Sequence, residues 1–348
     1  MGTPDSICLF RLSALGDVCM CVPVVRTLQQ SFPEAAISWV ISPPAYELVK
    51  GLEGVEFIVI DKPRTPKDYF ALYKRFKDRR FDVLLCMQAS LRANLIYPLI
   101  KAKRKIGFDS ERARDGQSLF TNESIYFASE HLAESFIRFA EEAGAHKVSE
   151  DFSLPVKEKY IDATERLYSK LSRPVMLVSA CASKAERDWP LDRIIEVIQY
   201  AQKIHQASVL LIGGNSEREQ KAADRIKQDC KVTNMVGKVD IKQLPTIVAS
   251  ADLLLAPDTG PVHIARAMGT PVIGLYAVAP SWLTGPFEKM DFCIDHYNDA
   301  VKEILKQDPE TVPWKTRVHD ERAMQMITVN EVVDMIDKVL GKRAGESG

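Results

Sequence analysis

The sequence has no excess of either charge and no long apolar segment. Its 46 Lys and Arg residues balance 47 Asp and Glu residues, for a formal net charge of −1. A dedicated nucleic-acid-binding protein is usually strongly basic, so this balance argues against nucleic acid as a partner. No apolar run approaches the roughly 20 residues that span a bilayer, and no basic segment with a long apolar one opens the chain. We therefore expect a cytoplasmic protein, and attachment to a membrane surface stays open.

Several common cofactor and metal motifs are also missing. No GxGxxG follows the first predicted strand, which disfavours a nicotinamide enzyme, and no GxxxxGK[ST] indicates a P-loop nucleotidase. Neither HExxH nor an acidic cluster with metal-ligand spacing occurs, so no metal site is expected. The seven cysteines are scattered, and the nearest pair, Cys19 and Cys21, has no second metal-spaced pair. This pattern is typical of reduced, buried thiols.

Short apolar runs alternate with helical stretches along the 348 residues, which is a length that favours two domains. Runs such as SICLFRL, FDVLLCMQ, PVMLVSA and DLLLAPD are nearly continuous, which predicts parallel sheets covered on both faces. The pattern restarts at Val175 after a polar stretch. We predict two doubly wound, Rossmann-like α/β domains that face each other across a cleft, at 1–155 and 172–325. A final helix within 326–348 either closes the second domain or packs back on the first.

Three loops that follow predicted strands contain unusual chemistry, and open α/β sheets bind ligands at the carboxyl ends of strands. The first loop, in RLSALGDV, follows a strand that ends near Leu12 and contains Gly16 and Asp17. Asp17 is either an N-cap for the next helix or a general base. Gly16 would let a ligand approach the backbone closely.

The second loop, SACASKAERDWP, contains Ser183, Lys184 and Arg187, which are donors suited to phosphate. The alternative is an exposed loop of mixed charge. The Trp189-Pro190 pair that follows would begin the next helix, because proline is favoured in a first turn.

The third loop, DTGPVH, contains Asp258, Thr259, Gly260 and His263 at a predicted helix start. Free N–H groups and the positive end of the helix dipole make such a position favourable for anions. Thr259 and His263 can donate hydrogen bonds, whereas Asp258 is better suited to capping the helix or binding a hydroxyl. The loop is therefore a candidate diphosphate site.

In this order, SALGDV, AERDWP and DTGPVH followed by GTPVIGLY resemble the heptosyltransferases of lipopolysaccharide core synthesis, glycosyltransferase family nine. The resemblance covers most of the chain and is strongest at 7–30 and 175–287. It implies the GT-B fold and inverting transfer of a heptose from the donor ADP-heptose, with no cofactor and no catalytic metal. The implied acceptor is inner-core lipopolysaccharide (Kdo-lipid A or a heptosylated core) at the inner face of the inner membrane.

The resemblance also assigns roles to residues. Asp17 falls on the general base, and Arg187 stands where the family usually has a lysine that neutralises the departing diphosphate. A glutamate after the GG turn would bind the ribose, and of Glu217 and Glu219 we favour Glu217. The remaining donor-binding residues implied are Ser183, Asp258, Thr259, Gly260 and His263.

The acceptor side is less defined. The basic stretches KPRTPKDYFALYKRFKDRR and KAKRK are either solvated faces or a surface that meets anionic lipid head groups and acidic core sugars. Gln88 ends a predicted strand and either faces the acceptor or closes a turn. The acceptor-binding candidates are Gly16, Arg64, Gln88, Arg112 and Arg114.

Other functions stay open at this point. The sequence departs from the family at Arg187, in CMCVP and in SACAS, which leaves room for a paralogue with another nucleotide sugar or acceptor. A GT-B epimerase or hydrolase should have strong acids in both domains, and only Asp17 is well placed. A non-catalytic sugar-nucleotide binder would not need Asp17.

Overall fold

The computed structural model describes residues 2–345, and the chain divides between Pro155 and Val156 into two compact units. In the first unit, six parallel strands form one sheet in the order β3-β2-β1-β4-β5-β6. The strands are β1 (Ser6–Phe10), β2 (Ala36–Ile41), β3 (Val55–Val59), β4 (Arg80–Cys86), β5 (Lys101–Gly107) and β6 (Glu123–Ser124). The α-helices are α1 (Leu15–Ser31), α2 (Pro43–Val49), α3 (Pro66–Phe76), α4 (Leu91–Asn94) and α5 (Leu132–Glu142).

The second unit repeats this topology, with the order β12-β11-β10-β7-β8-β9 and parallel neighbours throughout. Its strands are β7 (Val175–Val178), β8 (Ser208–Leu211), β9 (Val232–Asn234), β10 (Leu253–Pro257), β11 (Val272–Tyr276) and β12 (Ile294–Asp295). Its α-helices are α6 (Glu158–Tyr168), α7 (Leu191–Ile204), α8 (Glu217–Asp229), α9 (Leu244–Ala249), α10 (Gly260–Met268), α11 (Ser281–Thr284), α12 (Tyr297–Ala300), α13 (Arg322–Gln325) and α14 (Val329–Gly345).

Both units therefore have the Rossmann strand order, which confirms the predicted pair of doubly wound α/β sheets. The physical cause is visible in the central strands: β7 and β10 are buried along their whole length, and so is β1 beyond its first residue. Such strands need helices on both faces, so the apolar runs of the sequence specify the layers.

The segment 156–171, which the sequence prediction left between the two domains, contains α6 and belongs to the second unit. The Thr164 hydroxyl is 2.8 Å from the Thr246 hydroxyl, and the Tyr168 hydroxyl donates to the Ile247 carbonyl at 2.6 Å. Both contacts attach α6 to α9. Thr164 is the one fully buried side chain of α6, so the stretch lacks the apolar stripe that predicts a docked helix.

The final helix packs against α7 and β11 of its own unit. Val332 and Ile336 are buried in the core of that unit. On the polar side, Asp337 accepts from the Tyr200 hydroxyl at 2.9 Å and lies 2.6 Å from His205 Nε2. The contacts of α14 therefore close the second unit, which is one of the two placements that the sequence left open.

The cysteines are all free, and Cys19 and Cys21 are buried in α1. Burial raises the pKa of both thiols, so they stay protonated at neutral pH. Within residues 2–345, no helix combines the length and apolar character needed to cross a membrane.

Candidate functional site

In each sheet the strand order reverses between the two central strands, and this switch point is where open α/β sheets bind ligands. It lies between β1 and β4 in the first unit and between β7 and β10 in the second. Asp17 lies in the first turn of α1, which follows β1, and Gln88 follows β4. The loop after β7 holds Arg187, and Asp258 follows β10 directly. The two loops selected in the second unit thus meet at its switch point, and the loop selected in the first unit meets the segment with Gln88.

Asp17 is the third residue of α1, and Ala14 is the N-cap. Asp17 is therefore not itself the N-cap, but it caps the helix start from the third position by accepting from the Ala14 N–H. Its Oδ2 accepts a hydrogen bond from the Ala14 N–H at 2.9 Å and another from Arg11 Nη2. Oδ1 takes none of the hydrogen bonds recorded within residues 2–345, and the side chain keeps 20% of its surface exposed. One carboxylate oxygen is fixed and the other is available.

Arg11, which sequence reasoning missed, holds this carboxylate in place. It follows directly after β1, its Nη1 donates to the Met87 carbonyl after β4, and its Cζ lies 5.0 Å from the centre of the Phe136 ring. A guanidinium fixed on three sides presents a preorganised positive charge to Asp17. The sequence feature that could have identified Arg11 is its position as the one charged residue near the end of the run SICLFRL.

Gln88 connects the two loops of the first switch point. Its side-chain Oε1 accepts from the Leu12 N–H at 2.8 Å, and its carbonyl accepts from the buried Tyr97 hydroxyl at 2.5 Å. With these bonds Gln88 closes the turn after β4, which is one of the two roles that the sequence left open. Gly16, the other candidate here, is buried in the first turn of α1.

A cavity of about 860 Å³ adjoins the loop before Asp17. It contains Arg64, and also Lys62, whose pKa is lowered by partial burial and by the charges of Arg92 and Arg11. Three cations, Lys62, Arg64 and Arg75, and two acids, Asp61 and Asp68, thus line the cavity, so its lining has an excess of one positive charge when all are ionised. Its walls are residues 13–15, 42–45 and 59–64, together with Asp68, Ala71, Leu72 and Arg75 of α3.

Arg112 does not present a free guanidinium, contrary to its prediction as an acceptor ligand. Only 3% of its side chain is exposed, and its Nε and Nη1 pair with Asp109 and Glu130. Nη1 also donates to Ser135 Oγ, and Nη2 donates to the Tyr126 carbonyl at 2.9 Å. The side chain is enclosed because a buried arginine needs partners for all its N–H groups. Sequence alone does not distinguish it from the exposed Arg114.

Arg114 lines a separate cavity of about 500 Å³, with Gln117 and Asn122 among its walls. Arg64 is not part of that lining. The acceptor candidates of the first unit therefore fall into two places, and only Arg64 shares a cavity with the loop that precedes Asp17.

In the second unit, Arg187 and Asp258 form an ion pair across the switch point, with 3.0 Å between Arg187 Nη1 and Asp258 Oδ2. Asp258 therefore positions Arg187, and the N-cap of α10 is Thr259, so the capping alternative for Asp258 is wrong. Binding of a hydroxyl by Asp258 stays a prediction. The buried Arg187 Nε has no hydrogen-bond partner. The Arg187 side chain keeps 21% of its surface exposed, so part of it is accessible to a ligand while it is paired.

The helix start predicted in DTGPVH is present as the N-terminus of α10. Thr259 is the N-cap, and its hydroxyl makes no capping hydrogen bond to the helix. Gly260 begins the helix, and His263 is buried in its first turns. Pro261 has no N–H, and the Val262 N–H donates to the Thr259 carbonyl at 3.1 Å. The Thr259 hydroxyl and the Gly260 N–H are therefore the groups placed to donate to a phosphate.

The loop after β7 is held in shape by groups that the sequence analysis did not select. Asp188 accepts from the Ala182 N–H at 2.7 Å and from Arg218 Nη1, and Arg218 also donates to the Ala182 carbonyl. Burial raises the pKa of Asp188 despite these bonds. Ser183 stays exposed at the tip of this closed loop, in line with a ligand-facing role.

The loop is less cationic than its sequence suggests. Glu186 lies 2.7 Å from His319 and 3.9 Å from Lys184, and the hydrogen bond to His319 lowers the pKa of Glu186. Lys184 is thus partly neutralised. Arg187 remains the cation directed at the switch point.

The preference for Glu217 over Glu219 is not supported. Glu217 is 82% exposed and pairs with Lys221 one turn along α8 at 2.6 Å. Glu219 instead folds back over the turn after β8 and accepts from the Gly214 N–H at 2.6 Å. Burial opposes its ionisation, but hydrogen bonds from Ser216 and Gly214 lower its pKa. Glu219 is the carboxylate at the sheet edge.

Within residues 2–345, no group of three or more His, Cys, Asp or Glu side chains is arranged to hold a metal ion.

A family model and the curated relatives of this chain identify one family. Residues 69–312 match the family described as glycosyltransferase family 9 (heptosyltransferase). The lipopolysaccharide core heptosyltransferase OpsX of Haemophilus influenzae is 34% identical over 339 residues, 97% of each chain. A glycosyltransferase family 9 structure from Veillonella parvula has a TM-score of 0.78 at 18% identity and covers 97% of both chains. The E. coli heptosyltransferase WaaC with ADP has a TM-score of 0.70 at 17% identity, covering 96% of this chain and 99% of that one. The structural likeness confirms the GT-B fold class.

Proposed function

This chain belongs to glycosyltransferase family 9, the heptosyltransferase family, and from that premise we propose that it transfers a heptose from ADP-heptose to inner-core lipopolysaccharide. The main support is the pair of switch points. In the first, a carboxylate has one oxygen fixed by Arg11 and the other available. In the second, an arginine lies at the loop opposite an uncapped helix N-terminus. The transfer needs a general base for the acceptor hydroxyl and a site that stabilises the diphosphate, and these two groups are proposed to supply them.

In the proposed reaction, Asp17 Oδ1 takes the proton of an acceptor hydroxyl as that oxygen attacks the anomeric carbon of the heptose. The new C–O bond forms on the face opposite the departing ADP, so the configuration at that carbon inverts. Arg11 holds Asp17 Oδ2, and the base therefore meets the hydroxyl in one orientation.

The leaving group is the ADP diphosphate, which gains negative charge as the bond to the heptose breaks. Arg187, the Thr259 hydroxyl and the N-terminus of α10 are proposed to stabilise that charge. Ser183 and His263 are proposed to contact the phosphates and the sugar, and Glu219 replaces Glu217 as the candidate for the ribose. With these groups the reaction needs no metal, and none is proposed.

The proposed acceptor is anionic, either Kdo-lipid A or a heptosylated core. Its acidic sugars fit the cavity of about 860 Å³ that contains Arg64 and Lys62 beside the loop that leads to Asp17. We place this activity at the cytoplasmic face of the inner membrane, where such an acceptor would be met.

Nucleotide selectivity tests the donor part of this proposal. Isothermal titration calorimetry should show ADP binding at least about tenfold more tightly than UDP or GDP, a difference of about 1.4 kcal/mol. Asp17→Asn should give the same ADP affinity, because Asp17 is assigned to the acceptor. Tighter binding of UDP or GDP would point to another nucleotide sugar. If none of the three nucleotides binds, the diphosphate site proposed at Arg187, Thr259 and the N-terminus of α10 is contradicted.

A further inference from the structure

Helix α3 exposes two aromatic side chains next to each other. Phe70 is 57% exposed and Tyr73 is 46% exposed, and their rings are stacked with 6.4 Å between centroids. The Tyr69 hydroxyl of α3 donates to the Arg92 carbonyl of α4 at 3.4 Å, and Leu91 and Leu95 of that segment are also exposed. Single exposed apolar residues are common, but a group on adjacent elements is typical of an interaction surface.

The same face of α3 is positively charged. Lys67, Lys74 and Lys77 are exposed, and Lys74 Nζ lies 4.7 Å above the Phe70 ring. The one acid within α3, Asp68, accepts hydrogen bonds from the Arg64 and Thr65 N–H groups at the helix start. Asp78, beyond the helix, lies 3.7 Å from Lys77 and offsets part of its charge. Lysine and aromatic side chains therefore alternate around this surface.

The opposite side of α3 faces the protein. Leu72 and Phe76 are buried, and Arg75 donates to the Val59 carbonyl of β3 at 2.7 Å. Leu72 and Arg75 also line the cavity of about 860 Å³. One helix thus separates the proposed acceptor cavity from the aromatic and basic surface.

We propose that the outward face of α3, formed by Lys67, Phe70, Tyr73, Lys74 and Lys77, docks on an anionic lipid bilayer. Aromatic rings enter the boundary between head groups and acyl chains, and lysines beside them pair with lipid phosphates. Charge complementarity favours this occupant, since the face offers cations around an apolar centre and Asp68 is turned to the helix start. This inference rests on the proposed function. Docking by α3 would bring a lipid-linked acceptor beside the cavity that the helix lines.

Vesicle co-sedimentation of the full chain tests this proposal. The wild type should sediment with mixed phosphatidylglycerol–phosphatidylcholine vesicles and not with pure phosphatidylcholine vesicles. Phe70→Ser/Tyr73→Ser should weaken binding by roughly tenfold or more, because two rings no longer leave water. Lys67→Glu/Lys74→Glu should weaken it by at least roughly fivefold per lysine. Added salt should weaken wild-type binding, since the attraction is screened.

Two matched controls lie on the second unit: Ile204→Ser, at an exposed apolar residue that ends α7, and Lys227→Glu/Lys302→Glu, with the same change of charge. Both should bind vesicles as the wild type does. ADP affinity and thermal melting should be unchanged in every variant, which excludes misfolding.

The docking surface is refuted if the α3 variants still sediment like the wild type, or if the wild type binds neutral vesicles equally well. It is also refuted if Phe70→Ser/Tyr73→Ser changes the oligomeric state and leaves vesicle binding intact, because a second copy would then be the occupant. Transfer to a water-soluble acceptor separates the two proposals. If the wild type transfers heptose to this acceptor but does not bind vesicles, only the docking proposal is wrong. If it binds vesicles but no nucleotide, the proposed function is wrong.

Discussion

Asp17→Asn is expected to lower kcat for heptose transfer by about 10²–10⁴-fold while ADP affinity stays at the wild-type value. The amide oxygen of Asn can still accept from the Ala14 N–H and from Arg11, so the start of α1 keeps its hydrogen bonds. The amide cannot take a proton from the acceptor hydroxyl. Steady-state kinetics at saturating acceptor, with calorimetry of ADP on the same preparation, measure both quantities.

Glu134→Gln is the matched control for this substitution. Glu134 occupies the same third position of α5, where it accepts from the His131 N–H at 2.9 Å, and it has no proposed part in the reaction. Its loss should leave kcat unchanged and cost at most about 1 kcal/mol of stability. An Asp17→Asn enzyme that keeps more than about a tenth of wild-type kcat would contradict general-base catalysis by Asp17.

Arg187→Met is expected to lower kcat by about 10²–10³-fold and to weaken ADP binding, because it removes the cation proposed to stabilise the diphosphate. Arg187→Lys should recover most of kcat, since lysine keeps the charge but lacks the forked geometry. The substitution to Met also leaves Asp258 without its partner. Arg187→Met/Asp258→Asn removes that lone charge, and it should be as inactive as the single variant.

Arg225→Met controls for the loss of an arginine in the same unit, since Arg225 pairs with Asp229 and Asp192 on the surface of the helices. It should leave kcat and KM for ADP-heptose unchanged. If Arg187→Lys were as inactive as Arg187→Met, the ion-pair geometry with Asp258 would matter more than charge. Wild-type kcat in Arg187→Met would refute the assigned role.

The sheets and the site loops could be predicted because their signals are local. Continuous apolar runs specify buried parallel strands, and the residues that follow them must lie at one edge of a sheet. SALGDV and DTGPVH could therefore be assigned to sheet edges before any contact was known. The α6 helix was missed because only Thr164 is fully buried there, so no apolar stripe indicates a docked helix.

Partners distant in sequence could not be predicted. The ion pair of Arg187 with Asp258 joins loops after β7 and β10, and the partner of Arg11 beyond α1 is the Met87 carbonyl after β4. Pairs of this kind depend on strand order, which composition does not specify. The same limit applies to Arg112, which differs from the exposed Arg114 only through the buried acids around it.

The most direct test of heptose transfer is a mass-spectrometric assay with purified protein, ADP-heptose and two acceptors, Kdo-lipid A and a heptosylated core, in the presence of EDTA. We expect one acceptor to gain a single heptose while an equal amount of ADP is released, and Asp17→Asn to form product far more slowly. An unchanged acceptor with ADP-heptose either intact or merely hydrolysed would contradict heptose transfer. Transfer that stops in EDTA and returns with a divalent cation would contradict a reaction carried by Asp17, Arg187 and the α10 N-terminus without metal.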